Sequence, residues 1–179
     1  RGDCYVIKSS TLMGLLLGST IILMVGLIDD FGVMNPRLKL FGQIIAVLAL
    51  IKGGVFLKLV IFDFRWPWDV PLFAWALSAV WLVGIANAVN FLDIEDGLAG
   101  GVAACCCPAL FVVAWLNEKP EMALFTVGLF GACVGFLRYN APFPKAKIYM
   151  GDAGSLFLGL CLAALAMLGS YTAKNNLAA

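Results

Sequence analysis

Five aspartates of this chain are placed to act together: the adjacent pair Asp29 and Asp30, the pair Asp93 and Asp96, and Asp152. Each set stands at the edge of a long apolar segment. Ionised carboxylates are costly next to hydrocarbon, so carboxylates kept at such edges mark a functional site by default. The chain has no His and no Cys-x-x-Cys pair, which argues against a zinc centre. Hard oxygen ligands alone suit Mg²⁺, which typically takes one or two carboxylates plus substrate phosphates. The chemistry expected is therefore Mg²⁺-dependent phosphoryl transfer at a membrane face.

The elements that position these acids follow from hydropathy. The chain of 179 residues is 63% hydrophobic and only 13% charged, with a mean hydropathy of +0.98. A soluble domain carries roughly 25% charged residues. Apolar runs at 12–28, 38–51, 72–92, 102–116, 122–137 and 153–168 approach or meet the roughly 20 residues that span a bilayer as helix. The fold class predicted is an all-α polytopic membrane protein with about six transmembrane helices in one integral membrane domain, residues 1–179. The second run is the weakest, being interrupted or flanked by Lys39 and Gln43. Two apolar runs separate Asp30 from Asp93, and two more separate Asp96 from Asp152. Two crossings return a chain to the side it left, so all three acidic sets are predicted to face one compartment.

The rest of the composition is less directive. Net charge is +1, which offers nothing to nucleic acid. With the acidic sets on one side, basic residues divide five against seven across the membrane, too even for the positive-inside rule to orient the protein. Cys105–Cys107, Cys133 and Cys161 fall within apolar runs, where Cys behaves as a small hydrophobe. Residues 52–71 form the longest polar interruption. Their Val, Ile and Phe content allows a short β-hairpin, with Trp66, Trp68 and Trp75 as an interfacial aromatic belt.

Each motif has a structural as well as a functional interpretation. Asp29-Asp30 could be a solvated pair, yet a helix C-terminus is the wrong end for negative charge, and adjacent acids call for a cation or a proton. Asn87, Asn90 and Asp93 recur at three-residue steps, giving a slowly winding polar stripe at one end of an apolar helix. Such amides either bind a polar ligand or join helices to one another. Tyr149-Met-Gly-Asp152-Ala-Gly-Ser155 leads into an apolar helix. There Asp152 is either a simple cap or part of a phosphate-binding helix start. Arg37, Lys39, Lys145 and Lys147 lie nearby in the sequence of these loops.

In combination, Gly26-Leu-Ile-Asp29-Asp30, Asn87-Ala-Val-Asn90 with Asp93 and Asp96-Gly97-Leu98-Ala99, and Arg138-Tyr-Asn140 with Met150-Gly-Asp152-Ala-Gly-Ser155 resemble the polyprenyl-phosphate N-acetylhexosamine-1-phosphate transferases. That family includes the phospho-MurNAc-pentapeptide translocase. The likeness runs from about residue 12 to 170. It implies a fold of about ten helices, of which this chain is the central part, lacking helices at both ends. It also implies transfer of a sugar-1-phosphate from a UDP-sugar to undecaprenyl or another polyprenyl phosphate, with release of UMP. By resemblance, Asp29 and Asp30 are the acids near the lipid phosphate, one acting as base or as nucleophile. Asp152 is the Mg²⁺ ligand, with Mn²⁺ an alternative ion. Asn87, Asn90, Asp93 and Asp96 bind substrate, and Tyr149 stacks on uracil. The implied location is the bacterial plasma membrane with a cytoplasmic active site. The partners are membrane lipid and, as in the translocase branch, a second copy in a homodimer.

Two departures qualify the resemblance. Family members commonly read Asp-Gly-hydrophobic-Asp-Gly where this chain has Asp93-Ile94-Glu95-Asp96-Gly97, which is expected to crowd the nucleotide. The family's upstream basic loop and its late His-containing loop have no counterpart here, so the isolated chain is expected to be inactive. Asn90-Phe-Leu-Asp93 and Gly151-Asp-Ala-Gly lean toward UDP-GlcNAc-dependent initiation of an O-antigen, teichoic acid or capsule, with phospho-MurNAc-pentapeptide transfer as the alternative. An ion-coupled transporter would use the same acids near mid-membrane with paired repeats, and neither feature is evident. A noncatalytic scaffold is the remaining reading.

Overall fold

A computed structural model describes residues 9–57, 71–141 and 145–170. These form six helices, α1 (Ser9–Asp30), α2 (Pro36–Lys52), α3 (Pro71–Leu92), α4 (Leu98–Leu116), α5 (Pro120–Asn140) and α6 (Gly151–Ser170), and no strand among the described residues. The chain is a multi-pass, all-helical membrane protein. Five of the helices are long and apolar enough to span a bilayer. The shorter α2, at 17 residues, carries Lys39 and Gln43. Most of the segment on which a hairpin was expected, together with Trp66 and Trp68, lies outside the described residues.

Local sequence explains the helix ends. Asn35 caps α2, its side chain accepting the Arg37 N–H at 3.2 Å, and Pro36 opens the helix with no N–H to leave unsatisfied. Gly97 precedes α4 with φ +80°, a left-handed conformation that glycine adopts without a Cβ penalty. Pro120 opens α5 after the tight turn at 117–119.

Helix α6 is the hub of the bundle. It packs against α1, α3 and α4, and touches α5, while α1 pairs with α2 and α4 with α5. About 61% of its spanning segment is buried, against 22–28% for the other spans. Leu16, Leu17, Leu72, Phe73 and Leu124 face outward, each more than half exposed, as lipid-facing side chains must.

Small residues let the hub's neighbours come close, the usual basis of helix association where hydrophobic burial supplies no drive. A Cβ at Gly159 would lie 2.7 Å from the Ala86 Cα, and one at Gly26 would lie 2.4 Å from the Ala153 Cα. Both obstacles are backbone, so a side chain must push helices apart. Gly26→Val is accordingly expected to lower the melting temperature of the protein in detergent by several degrees, by about 1–3 kcal/mol. An unchanged melting curve would mean that α1 and α6 are not in close contact.

Candidate functional site

Alternation of the six helices puts the ends of α1, α3 and α5 and the starts of α2, α4 and α6 on one face. The opposite face is closed by the turn between α4 and α5. There the Asn117 amide donates to the Gly169 carbonyl at 3.0 Å and the Lys119 ammonium donates to the Leu168 carbonyl, covering the C-terminus of α6.

On the first face, Asp29, Lys39, Asn90 and Asp152 meet. The Lys39 ammonium lies 2.6 Å from Asp29 Oδ2 and 2.5 Å from Asp152 Oδ2, and donates to Asn90 Oδ1 at 3.4 Å. The Asn90 amide donates to Asp152 Oδ1 and to Ser155 Oγ, both at 2.8 Å. The Ser155 hydroxyl in turn donates to the Gly151 carbonyl at 2.8 Å. Asp152 thus has each oxygen engaged from a different helix, one by α2 and one by α3.

One turn deeper, Gln43 and Asn87 exchange side-chain hydrogen bonds at 3.2 and 2.6 Å. On α2 the residues Lys39 and Gln43 are four apart and share a face; on α3 Asn87 and Asn90 are three apart and do the same. The helices are antiparallel, so the ladder reads Lys39–Asn90 at the site and Gln43–Asn87 beneath it. Gln43 is 1% exposed, so its amide needs the partner that Asn87 provides.

Asp30 points elsewhere. Its Oδ1 accepts the backbone N–H of Asp152 at 2.7 Å and its Oδ2 accepts that of Ala153 at 3.1 Å. Asp93, just beyond the end of α3, lies near the backbone of Gly151. Burial pushes its carboxyl above the usual value, and the charges of Asp152, Asp30 and Asp96 add to that, against the polar backbone of Gly151. Asp96 and Tyr149 are exposed beside the site, Tyr149 by 74%. Asn140, buried at the end of α5, accepts the Gly97 N–H and donates to the Ile148 carbonyl, each at 2.8 Å. It ties the loop after α3 to the loop before α6, the two loops that carry Asp93, Asp96 and Tyr149.

A folded-state carboxyl raised above its unfolded value loses stability as pH rises through the folded value, because ionisation is then costlier in the folded protein. Asp93→Asn removes that cost. The variant is expected to be more thermostable than the wild type at pH 7, and the difference should shrink as pH falls and Asp93 takes up its proton. A variant equally or less stable at pH 7 would show that burial does not penalise this carboxylate.

The structure therefore brings Asp29, Asp30, Asn90, Asp93 and Asp152 together, sets Asp96 and Tyr149 at the rim, and places Asn87 one turn below. Lys39 was legible only as one basic residue among four. Gln43 read merely as an interruption of an apolar run. Their four-residue spacing on one helix was the available signal. Among the described residues, no three acid or cysteine side chains form a group that could hold a metal ion. The donor set still fits Mg²⁺: Asp29 and Asp152 converge on one cation, Lys39, and one or two carboxylates with substrate phosphates are what this ion usually takes.

A sequence model of glycosyl transferase family 4 matches residues 12–170. The chain belongs to this family. Among its relatives is a Bacillus subtilis protein named "probable undecaprenyl-phosphate N-acetylglucosaminyl 1-phosphate transferase", 33% identical over 158 residues, covering 87% of this chain and 43% of the relative. A decaprenyl-phosphate N-acetylglucosaminephosphotransferase of Mycobacterium leprae is 35% identical over 187 residues, covering 98% and 46%. A phospho-N-acetylmuramoyl-pentapeptide-transferase of Halalkalibacterium halodurans is 37% identical over 155 residues, covering 80% and 47%. The chain spans about half the length of these family members. All four acids in the inner cluster, Asp29, Asp30, Asp93 and Asp152, fall within the matched region.

Proposed function

We propose that the protein transfers a sugar-1-phosphate, GlcNAc-1-phosphate in the first instance, from a UDP-sugar to undecaprenyl or a related polyprenyl phosphate, releasing UMP. The reaction takes place at the cytoplasmic face of a bacterial plasma membrane and initiates a cell-envelope glycan. The observation that carries this reading is the meeting of Asp29, Lys39, Asn90 and Asp152 at one end of a glycosyl transferase family 4 bundle. Carboxylates and an ammonium at a membrane face suit a lipid phosphate acceptor and a diphosphate donor better than they suit a mid-membrane ion path.

In the transfer, an oxygen of the lipid phosphate bonds to the sugar-bearing phosphorus of the donor. The bond from that phosphorus to the bridging oxygen breaks, and its electron pair leaves with UMP. Asp29 either takes the proton of the lipid phosphate or, in a two-step route, itself attacks the same phosphorus. Lys39 balances the two acids and offers positive charge to incoming phosphate. Asp152, with Asp29 alongside, would hold Mg²⁺ or Mn²⁺, which when bound neutralises charge on the diphosphate. Asp93 and Asp96 bind nucleotide or diphosphate, and the open ring of Tyr149 stacks on uracil. Asn87 contributes by holding α2 and α3 in register beneath Asn90.

Phospho-MurNAc-pentapeptide transfer is the second reading, supported by the relatives that carry that name. One experiment separates the two. Membranes carrying the protein at its natural length are given undecaprenyl phosphate, Mg²⁺ and, in turn, UDP-GlcNAc, UDP-GalNAc or UDP-MurNAc-pentapeptide. UMP release with one donor identifies the substrate. No release with any donor from folded protein sinks both readings and favours a noncatalytic relative, with Ile94 the first residue to revert to Gly.

A further inference from the structure

Neighbouring Asp29 and Asp30 are equivalent in sequence and opposed in structure. Asp29 meets Lys39, whereas both oxygens of Asp30 are committed to consecutive backbone N–H groups of α6. We infer that Asp30 is a positioning residue that clamps the first turn of α6, and with it Asp152, to the end of α1, and takes no part in proton transfer or bond making. The inference rests on the proposed transferase reading for its functional consequence and on the hydrogen-bond geometry for its substance.

Three features support the clamp. The first N–H groups of a helix have no partner within it, and a carboxylate there is favoured by the helix dipole. Two consecutive amides at the start of α6, those of Asp152 and Ala153, are covered by this one acid from the end of α1. The end of α1 disfavours a negative charge and the start of α6 welcomes it, so the contact serves both helices.

Glycines hold the clamp closed. Gly151 has φ +69°, and a Cβ there would lie 2.9 Å from both Asp30 oxygens. Gly26, four residues before Asp30 and on the same face of α1, lies against the Ala153 backbone. One face of α1 is thus docked on the backbone of α6 over a full turn. Both Asp30 oxygens are held by the backbone of α6, whereas Asp29 faces the Lys39 ammonium and is not held by that backbone.

Amide hydrogen exchange on the protein at its natural length in lipid nanodiscs tests the clamp without any need for turnover. In Asp30→Ala the amides at the start of α6 should exchange about tenfold faster, the usual scale of a lost helix cap. Asp30→Asn should be intermediate, because Asn is also a good cap, and Asp29→Ala should leave these amides unchanged. Activity should follow the same order. Asp30→Asn should retain a measurable fraction with the wild-type pH profile, above Asp30→Ala, while Asp29→Asn and Asp29→Ala are equally inactive. Unaltered exchange in both Asp30 variants would overturn the clamp. So would an Asp30→Asn variant as dead as Asp30→Ala while its α6 amides stay protected, since Asp30 would then act chemically. Should Asp30→Ala lose protection throughout the protein, the milder Asp30→Asn decides alone. Absence of UMP release from wild-type protein would count against the transferase reading only, leaving the exchange result to judge the clamp.

Discussion

Asp152→Asn is expected to lower UMP release by about 10²–10³-fold while leaving the protein folded, the scale seen when a preorganised electrostatic group is removed from an active site. Asp152 is the residue on which three helices converge. Its Oδ2 takes the Lys39 ammonium and its Oδ1 takes the Asn90 amide. The substitution keeps the side chain's shape and removes its charge. It also turns an NH₂ toward either Lys39 or Asn90, both donors, so one hydrogen bond becomes a repulsion. Whatever cation the diphosphate brings loses its best-placed carboxylate at the same time. UMP release, read alongside a melting curve, checks the expectation. Full activity from the variant would remove Asp152 from the chemistry and leave the proposed function without its central ligand. A noncatalytic scaffold would show no change in partner binding.

Lys39→Met is expected to produce the second largest effect, and on two readouts. Without divalent cation the protein should lose about 1–3 kcal/mol of stability, below the 3–5 kcal/mol of a fully buried pair because these groups are partly solvated. Asp29 and Asp152 would then face one another with no positive charge between them. Added Mg²⁺ should restore more of the melting temperature in the variant than it adds to the wild type, because a divalent ion can take the place the ammonium vacated. Activity should fall by about 10²-fold or more. A melting temperature unaffected by the substitution, or a deficit that Mg²⁺ does not reduce, would show that Lys39 is not what balances these acids.

The helices of this protein were legible because lipid imposes one rule on the backbone. Every N–H and C=O must be satisfied within the segment, so a long apolar run is a helix. Each apolar run at 12–28, 38–51, 72–92, 102–116, 122–137 and 153–168 falls within or closely coincides with a helix. Counting crossings was enough to place Asp29, Asp93 and Asp152 on one face, since parity needs no knowledge of which helix touches which. The motifs carried the family for the same reason: they are local, and their spacing survives without the fold.

Distances between helices obey no such local rule. That α6 sits at the centre follows from Gly26 meeting Ala153 and Gly159 meeting Ala86, contacts between residues more than 70 positions apart. The pairing of Gln43 with Asn87, and the selection of Lys39 from four candidate bases, depend on the rotation of α2 against α3. Asp29 and Asp30 show the limit most clearly. Side by side in the sequence, they are turned about 100° apart on a helix, and only the position of α6 decides which of them is bound to backbone and which faces the cation. Sequence by itself determined the helices, their common acidic face and the family, because hydropathy and motif spacing are properties of single segments. Tertiary structure alone decided the division of labour among the acids, because that depends on which groups different segments bring within hydrogen-bonding reach.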